Sequence, residues 1–401
     1  MTGIVWYTAD RLIGMGRVGD ATFIYTSIVG LFVVSRFVLA AGYRAPAEMG
    51  LEPTITIIVP VFNEGVSVLR TIDACLDPDY PADRLRIICV DDGSTDDTWI
   101  HLRDAAARHP EQVLAVALGS NRGKRAAMAE GVRRSDSEIL VVIDSDSEPL
   151  PGGIRRIVQP FADPRIGAVA GLTHARNADV NALTRMQATR YYVSFQLLKA
   201  AESALGAVSC CSGCFSAYRR SVVEPLLEDW EHQRFLGADC TYGDDRALTN
   251  MVIRAGHRSV YHAGAVALTD VPVEYLSFFR QQLRWKKSWL RESPILLSHI
   301  WRSRPLAFPV VLLSTLAGLL SPIVLIGSLV IAPLVFGVVP VVYVSGLLLV
   351  ALAYGLFHRA LMDDRRWVWT VVGTLFYIAF SGQMFWAMAR IRDGRWGTRA
   401  A

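Results

Sequence analysis

Apolar positions along this chain fall into two kinds of pattern. Residues 22–43 are apolar save for the charge of Arg36, and residues 306–357 contain no Asp, Glu, Lys or Arg. At about 20 residues per crossing, the first run predicts one membrane helix and the second, punctuated by Pro322, Pro333 and Pro340, predicts two. Residues 367–389 supply a further candidate. The first run starts about 20 residues in and outlasts the apolar core of a signal peptide, so it reads as an anchor.

Between these runs the pattern shifts to short β-branched clusters at 55–59, 87–90 and 140–143, with helical periodicity over 67–75, 98–108 and 125–133. Apolar strands bounded by Pro, Asp and Gly and alternating with helices predict an α/β domain, a parallel sheet with helices on both faces. Ligands of such sheets bind beyond the carboxyl ends of the strands. The basic, aromatic stretch 280–304 suits a helix lying on an anionic leaflet and so predicts contact with membrane lipids. The expected layout is an N-terminal anchor segment (1–44), a soluble domain (53–270), interfacial helices (271–304), a C-terminal membrane region (305–391) and a tail (392–401).

Composition sharpens this. Of 401 residues, 52% are hydrophobic and 19% charged, below the roughly 25% usual in soluble domains. A net charge of +4, from 41 basic and 37 acidic residues, is too small to predict a nucleic-acid partner. The six cysteines lack the spacing of a disulfide framework and read as reduced; Cys211-x-x-Cys214 is half of a zinc or redox motif with no second half.

Candidate chemistry follows the strands. Pro60-Val61-Phe62-Asn63-Glu64 and Asp91-Asp92-Gly93-Ser94 put polar groups at the sheet edge, where turn formation and ligand binding are both open readings. Asp144-Ser145-Asp146 is sharper, because two carboxylates two apart in an extended segment project to one side and call for a hard divalent cation. Gly243-Asp244-Asp245-Arg246 sets acids at a helix start, as an N-cap or as a base whose proton affinity a neighbouring acid raises. Gln281, Arg284 and Trp285 share one helix face, suited to an interfacial anchor or to a sugar-phosphate site.

Taken in order ahead of a transmembrane cluster, these four acidic and Gln-x-x-Arg-Trp motifs resemble those of the processive family 2 glycosyltransferases, the group of cellulose, chitin and hyaluronan synthases. Asn121-Arg122-Gly123-Lys124-Arg125, Ser212-Gly213-Cys214, the Thr241-to-Asn250 segment, Thr269-Asp270-Val271-Pro272 and Trp396-Gly397-Thr398-Arg399 look like the hyaluronan synthase branch and its rhizobial chitooligosaccharide synthase relative. Asp244 favours the first branch, since the second usually carries Glu there.

The resemblance implies a GT-A type domain that adds sugars from UDP-GlcNAc and UDP-GlcA to a nascent polysaccharide with inversion. It implies donor contacts from Asn63, Glu64, Asp91, Asp92, Lys124, Asp144, Gln281, Arg284 and Arg399. Asp144 and Asp146 would hold Mg²⁺ or Mn²⁺, Asp245 beside Asp244 would be the base, and Trp285, Ser212, Gly213 and Cys214 would meet the acceptor. A multi-pass plasma-membrane protein with a cytoplasmic catalytic domain is implied too. A chitooligosaccharide or other capsular synthase, or an inactive transport homologue, are the other readings. Three full crossings after the domain would strand Arg399 on the far side, so one late segment is expected to be re-entrant or interfacial, consistent with basic residues at both its ends.

Overall fold

The computed structural model describes residues 17–76, 79–337, 339–362 and 365–394. The terminal Trp396-Gly397-Thr398-Arg399 motif therefore lies outside the described residues.

The strands are β1 (Ile55–Val61), β2 (Leu85–Asp91), β3 (Val113–Ala117), β4 (Ile139–Val142), β5 (Ser147–Pro149), β6 (Ile166–Ala175) and β7 (Ser216–Arg219). The small pair β8 (Arg234–Phe235) and β9 (Ala238–Asp239) follows, then β10 (Arg258–Thr269). Apart from the β8–β9 pair they form one sheet in the order β3-β2-β1-β4-β7-β6-β10-β5. The expected parallel half is present, with β1 parallel to both β2 and β4 and β2 parallel to β3. The sheet as a whole is mixed, however: β7 runs antiparallel between β4 and β6, and β5 runs antiparallel to β10. The reason lies in the chain path. The 212–214 loop sits at the carboxyl edge of β4, with Gly213 against Asp144, so β7 starts at that edge and must run back.

All seven residues of β1 are buried, which places it at the centre. Its side chains alternate between faces, as strand geometry requires. Ile55, Ile57 and Val59 join Ile72 and Leu102 from helices Val68–Cys75 and Thr98–Arg108, whereas Ile58 joins Met128 and Leu248 from helices Lys124–Arg133 and Asp244–Arg254. Both apolar faces of the sheet are thus covered, and its carboxyl edge is left open for ligands.

Among the described residues, four helices are long and apolar enough to cross a membrane: Thr22–Ala41, Phe308–Phe336, Val341–Leu361 and Trp367–Ala389. As the pattern predicts, the long apolar run divides in two, its break falling at Pro340. Pro322 stays inside its helix, where a π turn over Gly327–Ile331 follows it. The last candidate is interrupted by a 3-10 turn at Phe380–Gly382, and both of its flanks return to the sheet domain. Arg366 Nη2 donates to Asp179 Oδ2 at 2.7 Å before it. After it, the Tyr242 hydroxyl donates to Ile391 O at 2.9 Å and Lys287 Nζ to Asp393 O at 2.7 Å.

Candidate active site

The loop after β2 is built around Asp92, whose carboxylate accepts the backbone N–H groups of Arg122 at 2.7 Å and Gly123 at 2.9 Å. Burial pushes this carboxyl up, and the two N–H donors oppose the shift. Gly93 has φ 74, and a Cβ there would lie 2.5 Å from Ser120 carbonyl carbon, so no other residue fits the crossing of these loops. Asp91 accepts the Ser94 N–H at 3.2 Å, Asn63 Oδ1 accepts that of Thr95 at 2.8 Å, and Glu64 Oε1 accepts the Ser145 hydroxyl at 2.6 Å. Of these sequence-predicted donor residues, Asp92 lines the central cavity; Asn63, Glu64 and Asp91 brace the loops behind it.

Asp144-Ser145-Asp146 forms a turn closed by Ser147 N–H donating to Asp144 O at 2.9 Å, rather than the extended segment expected from spacing. The short β5 that begins at Ser147 must reverse toward β10, and the turn accomplishes that reversal. Both carboxylates still line the cavity. Lys124 Nζ sits 2.5 Å from Asp144 Oδ1 and 3.3 Å from Asp244 Oδ2, bridging the turn to the second acidic motif. Burial alone would lower the proton affinity of Lys124, but its two carboxylate partners raise it, so the ammonium stays charged. Gly213 faces this bridge. A Cβ there would come within 2.8 Å of Lys124 Nζ and 3.0 Å of Asp144 Oδ1, so the glycine keeps the front of the carboxylate open.

Gly243, left-handed at φ 72, starts the helix that carries Asp244 and Asp245, and it packs against Ser288 and Arg291 of the Tyr275–Ser303 helix. The two acids are tuned in opposite directions. Burial would raise Asp244, but Lys124 and then Arg125 outweigh it and hold that carboxyl below its ordinary range. Asp245 is raised by burial and by the charge of Asp244. Divergent proton affinities in adjacent carboxyls are the arrangement acid-base chemistry requires. Asp245 Oδ2 also accepts the Cys210 thiol at 3.3 Å, and its Oδ1 accepts the Arg246 N–H at 2.7 Å, which fix the carboxylate plane.

On the Tyr275–Ser303 helix, Gln281, Arg284 and Trp285 all face the cavity. The Trp285 indole is 45% exposed and its ring lies 6.3 Å from that of Tyr191, a broad apolar floor. Ser212 accepts Lys199 Nζ at 3.2 Å, and Cys214 lies beside the Asp144 turn with its thiol pushed up by burial. All six cysteines are free. The site is one continuous cavity of about 2150 Å³, running from Asp92 and Asp144 past Trp285 to Tyr354 and Tyr377 of the apolar helices. That is more than twice the space a small-molecule ligand fills.

Sequence reasoning missed Arg190, Tyr191, Lys199, Cys210 and Lys286 as lining residues. Lys286 adjoins a motif and Cys210 precedes one, so those two were within reach. Arg190, Tyr191 and Lys199 lie on a helical stretch with no motif and reach the cavity through tertiary packing alone.

The description "Glycosyl transferase family 2" matches residues 56–227. Over 100% of this chain and 95% of the relative, the sequence is 30% identical to a hyaluronan synthase of Streptococcus pyogenes. It is 35% identical to an N-acetylglucosaminyltransferase of Azorhizobium caulinodans over 69% of this chain and 71% of that one. A mannosyltransferase from Pyrobaculum calidifontis, solved in complex with GDP-Man and Mn²⁺, is similar in fold, with a TM-score of 0.67 and 21% identity over 94% of this chain and 99% of that one.

Proposed function

The chain belongs to glycosyl transferase family 2 and transfers sugars, and from that premise we propose that it is a processive, inverting polysaccharide synthase of the hyaluronan type. UDP-GlcNAc and UDP-GlcA are its donors. The catalytic domain lies in the cytoplasm, where such donors are made, and the product leaves across the plasma membrane. The observation that carries this reading is the single cavity joining the carboxylate cluster to the apolar helices, since a growing polymer needs both a reaction centre and a path away from it.

The residues divide the work. The acceptor sugar rests on the Trp285 face, with its hydroxyl toward Asp245. Asp245 takes the hydroxyl proton as the oxygen bonds to the anomeric carbon, the bond from that carbon to the phosphate oxygen breaks, and UDP leaves with the bonding pair. Asp244 stays ionised through Lys124 and raises the proton affinity of Asp245. Arg284 and Lys124 supply cationic charge near the departing diphosphate. Asp144 and Asp146 offer hard oxygen ligands on one turn, with Gly213 leaving space before them, and a bound Mg²⁺ or Mn²⁺ would neutralise diphosphate charge there. The Mn²⁺ in the mannosyltransferase complex supports this assignment.

The test is incubation of detergent-purified protein with each UDP-sugar alone and with both. Polymer that forms only with the pair and is degraded by hyaluronidase supports the reading. Chitinase-sensitive product from UDP-GlcNAc alone would assign the chain to the N-acetylglucosaminyl type instead.

A further inference from the structure

The cavity lining carries charges of both signs, and on the side of the last apolar segment two of them are cations. The donor end carries Asp92, Asp144, Asp146, Asp244 and Asp245, whereas the part framed by the apolar helices carries Arg190 and Lys286. Arg190 projects from the Ala182–Val193 helix with its guanidinium carbon 5.5 Å from the Tyr377 ring centre. Lys286, next to Trp285, holds Nζ 4.5 Å from the Phe380 ring centre and donates to Phe380 O at 2.7 Å. Tyr377 and Phe380 belong to the last apolar segment, so both cations flank the point where the cavity passes from the catalytic domain into the helices.

Neither cation has an ion pair among the described residues, unlike Arg155, which pairs with Glu52. Burial lowers the proton affinity of Lys286 to about 8, and the charge of Arg190 adds to the effect. Two like charges held together in a half-buried passage are unfavourable unless an anion joins them. Each cation packs on a ring of the last apolar segment, and because the cavity continues to them from the Trp285 floor, the anion that reaches them is one carried by a sugar of the polymer.

We propose that Arg190 and Lys286 form a subsite for the carboxylate of an acidic sugar in the growing polymer, just beyond the Trp285 floor. Uronate-bearing chains are thereby retained between additions and neutral ones are not. The inference rests on the cavity being the path of the polymer.

The test uses the full chain in detergent, titrated with a tetrasaccharide of alternating glucuronate and N-acetylglucosamine and, separately, with neutral chitotetraose, following tryptophan fluorescence. The acidic tetrasaccharide is expected to bind about tenfold more tightly at low salt, with a preference that shrinks as ionic strength rises. Arg190→Gln and Lys286→Gln should each abolish most of that preference, and Lys286→Arg should keep it. Titration with UDP reports whether each variant is folded. Equal affinity for the two tetrasaccharides in the parent chain overturns the subsite, as does a salt-sensitive preference that survives both Gln substitutions. UDP release from UDP-sugars is measured separately. A chain that releases none yet prefers the acidic tetrasaccharide would defeat the synthase reading and still support the subsite.

Discussion

Arg36 Nη2 lies 4.0 Å from Glu202 Oε1, an ion pair that joins the first apolar helix to the catalytic domain. Only 1% of the Arg36 side chain is exposed, and its Nη2 also donates to Val310 O at 3.3 Å on the second apolar helix. Glu202 in turn accepts the N–H and hydroxyl of Ser209 at 2.9 and 3.1 Å, and the next residue is Cys210, whose thiol reaches Asp245. Beside the pair a cavity of about 20 Å³, lined also by Arg246 and Trp289, has room for one water. The first apolar helix is therefore linked to the proposed base through three successive contacts.

This geometry predicts that Arg36→Met costs about 1–3 kcal/mol, because it leaves the half-buried Glu202 without its charge partner. The effect should appear as a lower Tm in detergent together with reduced turnover. Arg36→Met combined with Glu202→Gln should be milder than the sum of the single changes, since the double variant buries no lone charge. Strict additivity would show that the two side chains are not coupled.

Asp245 and Asp244 make a prediction about pH. Asp245 must be ionised to accept a proton, and its proton affinity is raised. Turnover should therefore fall as pH drops through that raised value, while the ionised Asp244 persists to lower pH. Asp245→Asn should lower turnover by roughly 10² to 10⁴ and leave UDP affinity within a few fold, because the residue serves the acceptor. A variant with near-normal turnover would remove Asp245 from the chemistry. An acid limb that is the same in parent and variant would do so too.

Gly213 tests the donor end. Lys124 Nζ is the tip of a flexible side chain, but it is locked between Asp144 and Asp244 and cannot yield to a new methyl group without breaking that bridge. Gly213→Ala should weaken UDP binding in Mn²⁺ or Mg²⁺ buffer by about tenfold or more, the scale of one charge-assisted contact. Asp146→Asn should do the same, and EDTA should stop turnover until the ion is restored. Unchanged UDP affinity in both variants, or steady turnover in EDTA, would argue against a metal-diphosphate site at this turn.

Much of this was legible in the sequence because buried strands and their exits leave local marks. The β-branched runs of β1, β2 and β4 are visible, and the acids that follow them line or brace the site. The other half of the sheet was not visible. β6 reads Ile-Gly-Ala-Val-Ala-Gly-Leu-Thr-His-Ala, rich in small residues that signal no strand, and the antiparallel insertion of β7 is decided by where its loop enters the sheet. Asn63 and Glu64 show where a local pattern leaves two readings open. Their polarity at a strand exit marks loop bracing, through Thr95 and Ser145, as readily as ligand contact. Arg190 and Lys286 meet only because two helices distant in sequence pack on the last apolar segment, and no local pattern encodes that.

The tail motif and the membrane topology can be tested together. Gly394 lines the cavity, and its carbonyl accepts the Thr241 hydroxyl, two residues before Gly243. Arg399 is five residues further on, which at about 3.3 Å per residue spans up to roughly 16 Å, so the chain length permits it to reach the UDP phosphates. Such a contact needs the tail on the catalytic side, in keeping with the Asp179 and Tyr242 bonds that flank the last apolar segment. Were Arg399 without a part in donor binding, its loss would be harmless. Arg399→Ala and deletion of residues 396–401 are instead expected to lower polymer synthesis by about tenfold or more, at unchanged membrane insertion, through loss of one charge-assisted contact. A cysteine added after residue 401 should resist an impermeant thiol reagent in intact cells and react once the membrane is opened. Full synthesis by both variants would deny the tail a part in donor binding, and labelling in intact cells would place it on the wrong side for one.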